Sequence, residues 1–230
     1  MKDDQFTLSP SDFLPVDLEE VDREVFVTPC LRPQAAARIL VEVDRRLALW
    51  AHADRELPNS MHAHGAGLEE LGMASVVDDL LTHAPGLRGL LGERFSEVGG
   101  GSIDGHHSYL VDYGREGDED LGFHVDDSEV TLNLCLGETF SGAELVMMGR
   151  RCDLHRQTAV MAGEQVEILH EPGVLVIHAG RHRHRVDPIR RGRRRNLIAW
   201  LRSASYRGAG GGISAEKRCP SWCGWGASHA

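Results

Sequence analysis

From residue 34 to 50 the apolar side chains fall at Ala36, Ile39, Leu40, Val43, Leu47 and Trp50. That 3.6-residue spacing predicts one amphipathic helix, and Pro33 suits its first turn. Weaker helical patterns cover 68–81 and 87–91, with Ala84-Pro85-Gly86 between them. Val25-Phe26-Val27 predicts a short strand, and the His-, Gly- and Pro-containing stretch 51–67 a loop. After Gly99-Gly100-Gly101, read as a flexible joint, the period changes from helical to alternating. Strands are expected at 108–113, 130–136, 143–148, 166–169, 174–178 and 196–201. They are short, turn-separated and free of intervening helices, which predicts an antiparallel sandwich or barrel. The pattern divides the chain into an acidic arm (1–24), a helical support region (25–105), a β domain (106–207) and a Gly-rich linker with a Cys/Trp tail (208–230).

A chain of 230 residues, 41% of them hydrophobic, can bury one substantial core. It has no run of 18 apolar residues, so no membrane span is expected. Met1-Lys2-Asp3-Asp4-Gln5 is acidic and lacks an apolar stretch, so no signal peptide is expected. Cys30, Cys135, Cys152, Cys219 and Cys223 are odd in number; reduced thiols in an intracellular, cytoplasmic setting follow. A net charge of -10 argues against nucleic acid as the partner. Ten arginines nevertheless crowd between Arg181 and Arg207, as a solvated face or as a site for an anionic substrate.

The candidate chemistry lies in the β domain. His124 and Asp126 are one residue apart, so on an extended segment they point to the same side. A distant histidine would close a third corner, and His178, His182 and His184 are available. Two imidazoles and one carboxylate on one face of an octahedron leave three positions open, the arrangement of non-heme Fe(II) oxygenases. Only His184 stands in the pattern His-x-Val-x-Pro-Ile followed by Gly-x-Arg, ten residues before Arg194. His182, two residues from it, is the rival. His106 and His107 read as strand-entry surface residues, and Trp200 as core.

Tyr113, His124-Val125-Asp126, Val130-Thr131-Leu132-Asn133-Leu134, Phe140-Ser141-Gly142-Ala143-Glu144-Leu145 and the run from His184 through Pro188 and Gly192 to Arg194 occur in this order. Over about residues 106–206 the chain thereby resembles the Fe(II)- and 2-oxoglutarate-dependent oxygenases, in their prolyl and lysyl hydroxylase-like branch. The resemblance implies a double-stranded β-helix, mainly β, with supporting N-terminal helices. It implies Fe(II) held by His124, Asp126 and His184, and 2-oxoglutarate and dioxygen at the open positions. Arg194 would pair with the far carboxylate of 2-oxoglutarate, Tyr113, Thr131 and Asn133 would complete its pocket, and ascorbate is the accompanying reductant. The implied reaction is hydroxylation of a prolyl or lysyl side chain in a protein or peptide. A small molecule or free amino acid is the second substrate class, and a binding module that has lost its chemistry is the rival of another kind.

Two departures stand out: Ala143 replaces a glycine of the pattern, and 150–169 is long, predicting a hairpin or a loop over the site. With the acidic stretch 115–120 it would form a mobile rim. Arg193 and Arg195 should point away from Arg194 as surface charges. Asp127 would support the ligand loop or cap a turn. Cys219 and Cys223, with Cys152 and His229, form at most a weak zinc set; packing of Trp222 and Trp225 accounts for the tail more simply.

Overall fold

The computed structural model describes residues 5–49 and 61–211. In chain order its main elements are β1 (Glu19–Asp22), β2 (Val25–Pro29), helix α1 (Pro33–Leu49), β3 (Gly65–Gly67), α2 (Ser75–His83) and α3 (Leu87–Arg94). Then follow β4 (Gly105–Gly114), β5 (Leu121–His124), β6 (Val130–Gly137), β7 (Phe140–Gly142), β8 (Leu145–Arg150) and β9 (Gln165–Ile168). β10 (Val174–Ala179), β11 (His182–Val186), β12 (Ile189–Arg202) and α4 (Ala204–Gly208) complete the fold. The large sheet runs β1-β2-β10-β6-β12-β4-β3, with β7 paired to the start of β12; the small one runs β5-β11-β8-β9. Their pairings are antiparallel. This is a double-stranded β-helix.

Strand alternation places two cores. Along β6, Leu132, Leu134 and Leu136 face the helices and join Ile39, Val77, Leu91, Leu175 and Leu197 in one cluster. The inner face carries Thr131, Asn133 and Cys135, all buried. Between the sheets, Tyr109, Val111, Val176 and Ile198 of the large sheet meet Leu121, Leu145, Met147 and Val186 of the small one. Because both faces of the large sheet are covered, all eight residues of β6 are buried, and its strands read as near-continuous apolar runs.

The helix expected at 34–50 is present as Pro33–Leu49; Trp50 lies outside the described residues. Of the 68–81 pattern only Ser75–His83 is α-helical, because Leu68 to Met73 close a turn through Met73 N–H donating to the Leu68 carbonyl. The glycine joint is not loose. A Cβ on Gly100 would stand 2.2 Å from the Leu91 carbonyl oxygen, so this run is glycine because it packs tightly against α3. The long stretch 150–169 is a hairpin loop, since β8 and β9 pair from Leu145↔Ile168 to Met148↔Gln165. No described helix is long and apolar enough to cross a membrane. The tail with Cys219, Trp222, Cys223, Trp225 and His229 lies outside the described residues.

Candidate metal and co-substrate site

Register builds the site. Facing each other across the inner side of the large sheet are His178, Thr131, Trp200 and His107 in one row. Val176, Asn133, Ile198 and Tyr109 make the next row, and Arg194 faces Tyr113 further down. Opposite the first row, the small sheet pairs His184 with His124. Asp126, just past the end of β5, is tied in by its backbone N–H donating to the Gly180 carbonyl at 2.9 Å.

The histidine and aspartate donor atoms lie within 4.8 Å of one another. His124 Nε2 is 3.5 Å from Asp126 Oδ1 and His184 Nε2 3.8 Å from Oδ2. His124 Nδ1 bonds to the Gly122 carbonyl at 2.8 Å and His184 Nδ1 to the His182 carbonyl at 2.9 Å. A carbonyl only accepts, so both Nδ1 atoms carry the proton and both Nε2 lone pairs face the cluster. Thr131 donates to Asp126 Oδ2 at 2.6 Å and receives the Ser128 hydroxyl at 2.8 Å. Burial would raise the Asp126 carboxyl, but the imidazoles of His184 and His124 outweigh it and hold the group below the usual carboxylate range. Burial drives His184 well below its ordinary value, helped by His124, which keeps it neutral. Burial would lower His124 too, but the hydrogen bond and charge of Asp126 outweigh it and raise its pKa, a proton that a bound cation would displace. Two imidazoles and a carboxylate suit a borderline divalent cation such as Fe(II), so these residues fit one.

Arg194 lies fully buried below. Its Nε donates to Asn196 Oδ1 at 3.1 Å, one terminal nitrogen to the Ala143 carbonyl and the other to His170 Nδ1 at 2.9 Å. A guanidinium has five N–H donors; three are engaged, so each terminal nitrogen keeps one for a carboxylate. The rings of Tyr113 and Phe140 lie 5.6 and 5.8 Å from its central carbon. Between the histidines and Tyr113, whose ring stands next to Arg194, is a narrow pocket. Tyr113, Asn133, Leu121, Leu145, Val186 and Ile198 are among its walls.

His124, Asp126, His184, Tyr113 and Asn133 thus converge, with Arg194 behind Tyr113. Thr131 does so through Asp126. Asn133 Oδ1 accepts from Asn196 Nδ2 at 2.5 Å. His182 does not converge. The β11·β8 register shifts between His182 and His184, which breaks the same-face rule for residues two apart; His182 Nε2 instead stands 3.4 Å from Asp22. Arg193 is half-exposed and paired with Asp112. Arg195 departs from the surface expectation: it is buried and paired with Asp44 and Glu138, because the far face of β12 is covered by α1. His106 and His107 are half-buried, and His107 packs on Tyr109 and Trp200. Asp127 binds Arg202 and Arg207.

Sequence reasoning missed three residues. His170, whose Nε2 donates to the Val174 carbonyl at 2.9 Å, turns its Nδ1 to Arg194. Burial and the Arg194 charge push its pKa to about 3. Asn196 lies two residues beyond Arg194 on the same inner face, a signal the period-two rule offered. His62, in the stretch read as loop, lines the pocket with Nε2 3.2 Å from the Tyr113 hydroxyl; no local pattern marks it.

No family model matches the chain. It is 40% identical over 210 residues to the Arabidopsis thaliana protein "2-oxoglutarate and iron-dependent oxygenase domain-containing protein CP2", covering 90% of this chain and 52% of that protein. It is 32% identical over 166 residues to the human "2-oxoglutarate and iron-dependent oxygenase domain-containing protein 2", covering 72% and 43%. The chain belongs to the Fe(II)- and 2-oxoglutarate-dependent oxygenases. It spans about half the length of these curated relatives. Two solved structures share the oxygenase fold. One is a Pseudomonas putida prolyl-4-hydroxylase, at a TM-score of 0.57 and 18% identity over 79% of this chain and 93% of that one. The other is EvdO2 of Micromonospora carbonacea complexed with 2-oxoglutarate, at 0.54 and 14% over 82% and 94%. Iron and 2-oxoglutarate are accordingly this oxygenase family's cofactor and co-substrate.

Proposed function

We propose that this oxygenase hydroxylates a C–H bond of a prolyl or lysyl side chain in a protein or peptide, with succinate and CO2 as co-products. The observation that carries the reading is the pairing of two sets. A cluster of two Nε2 lone pairs and a carboxylate stands in the pocket, and behind the Tyr113 ring lies a buried guanidinium with two N–H donors left over from its three hydrogen bonds. A short dicarboxylate would lie between the two sets, one end at the cation and the other on the arginine fork. His124, Asp126 and His184 would hold Fe(II), with Thr131 fixing the orientation of Asp126. Arg194 would bind the far carboxylate, and Asn196, His170 and Ala143 hold its fork in plane. Leu121, Leu145, Val186 and Ile198 keep water from the dicarboxylate. When bound, the iron supplies the oxidation, using dioxygen and the electrons released as 2-oxoglutarate loses CO2.

The peptidyl substrate is favoured by the fold shared with a prolyl-4-hydroxylase, an argument by analogy. A free amino acid or other small molecule is the second class. The buried free thiols Cys30 and Cys135 support an intracellular setting. The decisive experiment incubates the protein with Fe(II), ascorbate, 2-oxoglutarate and peptide libraries, then measures succinate and searches for a gain of one oxygen by mass spectrometry. Asp126→Ala should abolish both signals while the fold survives, since the side chain lies at the barrel mouth. Succinate release that persists in this variant would sink the Fe(II) reading.

A further inference from the structure

His62 reaches the pocket from the chain just ahead of β3. That strand pairs with β4, Gly65 opposite Val111 and Gly67 opposite Tyr109, so the residues before it arrive beside Tyr113, the next inward residue of β4. Asp118 fixes the arrival. Its Oδ1 accepts the Ala63 N–H at 3.2 Å and lies 3.0 Å from His64 Nδ1. Asp118 is itself held on the end of β4: its N–H donates to the Asp112 carbonyl at 2.8 Å, and its carbonyl accepts the Gly114 N–H at 3.0 Å. His62, buried, is thereby laid over two tyrosines, its ring 5.9 Å from that of Tyr109 and 6.1 Å from that of Tyr113. Its Nε2 is 3.2 Å from the Tyr113 hydroxyl, and both side chains line the pocket that holds His124, Asp126 and His184.

Which of the two gives its proton decides what the pocket offers a ligand. Burial pushes His62 to about 4, so its ring is neutral and has one N–H. Burial raises the Tyr113 hydroxyl, which therefore keeps its hydrogen. If Tyr113 donated to a bare Nε2, its oxygen would turn only lone pairs toward the pocket, and these would oppose a carboxylate. If Nε2 carries the proton and donates to the Tyr113 oxygen, the hydroxyl hydrogen is free for that carboxylate, next to the Arg194 guanidinium. A hydroxyl that accepts one hydrogen bond is also polarised to donate a stronger one.

We propose that His62 is a positioning residue for 2-oxoglutarate: its Nε2–H donates to the Tyr113 oxygen and aims the Tyr113 hydroxyl at the carboxylate that Arg194 would bind. The inference rests on the co-substrate reading above and deepens it. The tether that sets His62 runs through 62–64 and Asp118, none of which belongs to the cluster of His124, Asp126 and His184.

The test is calorimetric titration of 2-oxoglutarate into the whole protein loaded with Co(II), in the absence of dioxygen, which reads binding apart from turnover. His62→Phe keeps a flat ring and removes the N–H; its Kd for 2-oxoglutarate should rise about 3- to 10-fold, with Co(II) affinity unchanged and the fold retained. His62→Gln, whose amide can donate from nearly the same place, should recover most of the loss, which a merely structural role would not produce. Tyr113→Phe should weaken binding at least as far. Adding His62→Phe to it should change nothing more, because the hydroxyl to be aimed is gone. Asp118→Ala, which frees the tether from outside the pocket, should act as His62→Phe does and answers the question if the phenylalanine variant does not fold. An unchanged Kd in folded His62→Phe, or losses that add in the double variant, overturn the role of His62. If Arg194→Ala leaves the Kd unchanged, the co-substrate reading itself falls.

Discussion

Arg194 is the side chain whose environment fixes most of its behaviour. Burial lowers its pKa, yet a guanidinium stays charged in proteins, so a fixed positive charge with a planar fork stands behind the Tyr113 ring. Arg194→Ala should raise the 2-oxoglutarate requirement ~30- to several-thousand-fold, because leaving a buried carboxylate unpaired costs about 2–5 kcal/mol. Arg194→Lys should recover only part of this, since an ammonium lacks the fork. Arg193→Ala, which removes a half-exposed pair with Asp112, should leave the requirement near wild type; steady-state succinate assays on the three variants decide. His170 gives a second handle. Its folded pKa of about 3 lies below the ~6.5 of an unfolded histidine. Between those values the unfolded chain binds a proton that the folded chain refuses, so stability is complete above about pH 6.5 and is lost as pH falls toward 3. Urea unfolding across this window should show a slope shallower by about one proton in His170→Gln, which keeps an acceptor for Arg194. An unchanged slope would mean that the imidazole is protonated in the fold.

At the scale of elements, the hairpin loop between β8 and β9 is held from inside. Glu164 accepts from Arg151 at 2.6 Å and from the Met161 backbone at 2.7 Å, and Arg183 donates to the Thr158 carbonyl at 2.5 Å. Leu154 remains exposed at 58%, so the loop offers apolar surface on a fixed frame, as specificity loops on rigid barrels do. Glu164→Ala, or shortening 152–164, should lower hydroxylated product while slow uncoupled decarboxylation of 2-oxoglutarate continues, read as a rise in succinate per product. Equal loss of both in a folded protein would assign the loop to the metal centre. Elements were also what the sequence disclosed best. β4, β6, β8, β9, β10 and the second half of β12 were legible because alternation and turns recur there, and the grouping of His124, Asp126 and His184 because ordered spacing marks them. β5, β7, β11 and the start of β12 were not, being short or polar and charged. What stayed hidden depends on contacts between distant segments. The shifted register at His182, the burial of Arg195 under α1 and the approach of His62 to Tyr113 are set by packing, which no local period encodes.

At the scale of the molecule, the helices and the barrel stand or fall together. Val77, Leu80 and Leu91 of α2 and α3 occupy the same cluster as Leu132, Leu175, Leu197 and Ala199 of the large sheet. Without α1 to α3 the outer face of β10, β6 and β12 would present an apolar patch large enough to drive aggregation. The glycine run is no seam, since Gly100 lies against the Leu91 carbonyl. A chain begun at residue 102, although it keeps every residue of the candidate site, should therefore be insoluble or molten when examined by gel filtration and near-ultraviolet circular dichroism. In the longer protein Leu91→Ala, whose side chain is 1% exposed, should cost about 2–5 kcal/mol through the cavity it leaves. Helical and aromatic signals should lose structure in one transition, as expected when a single core is weakened. Two separated transitions, or a folded chain from residue 102 that releases succinate, would show that the barrel supports its own site without the helices.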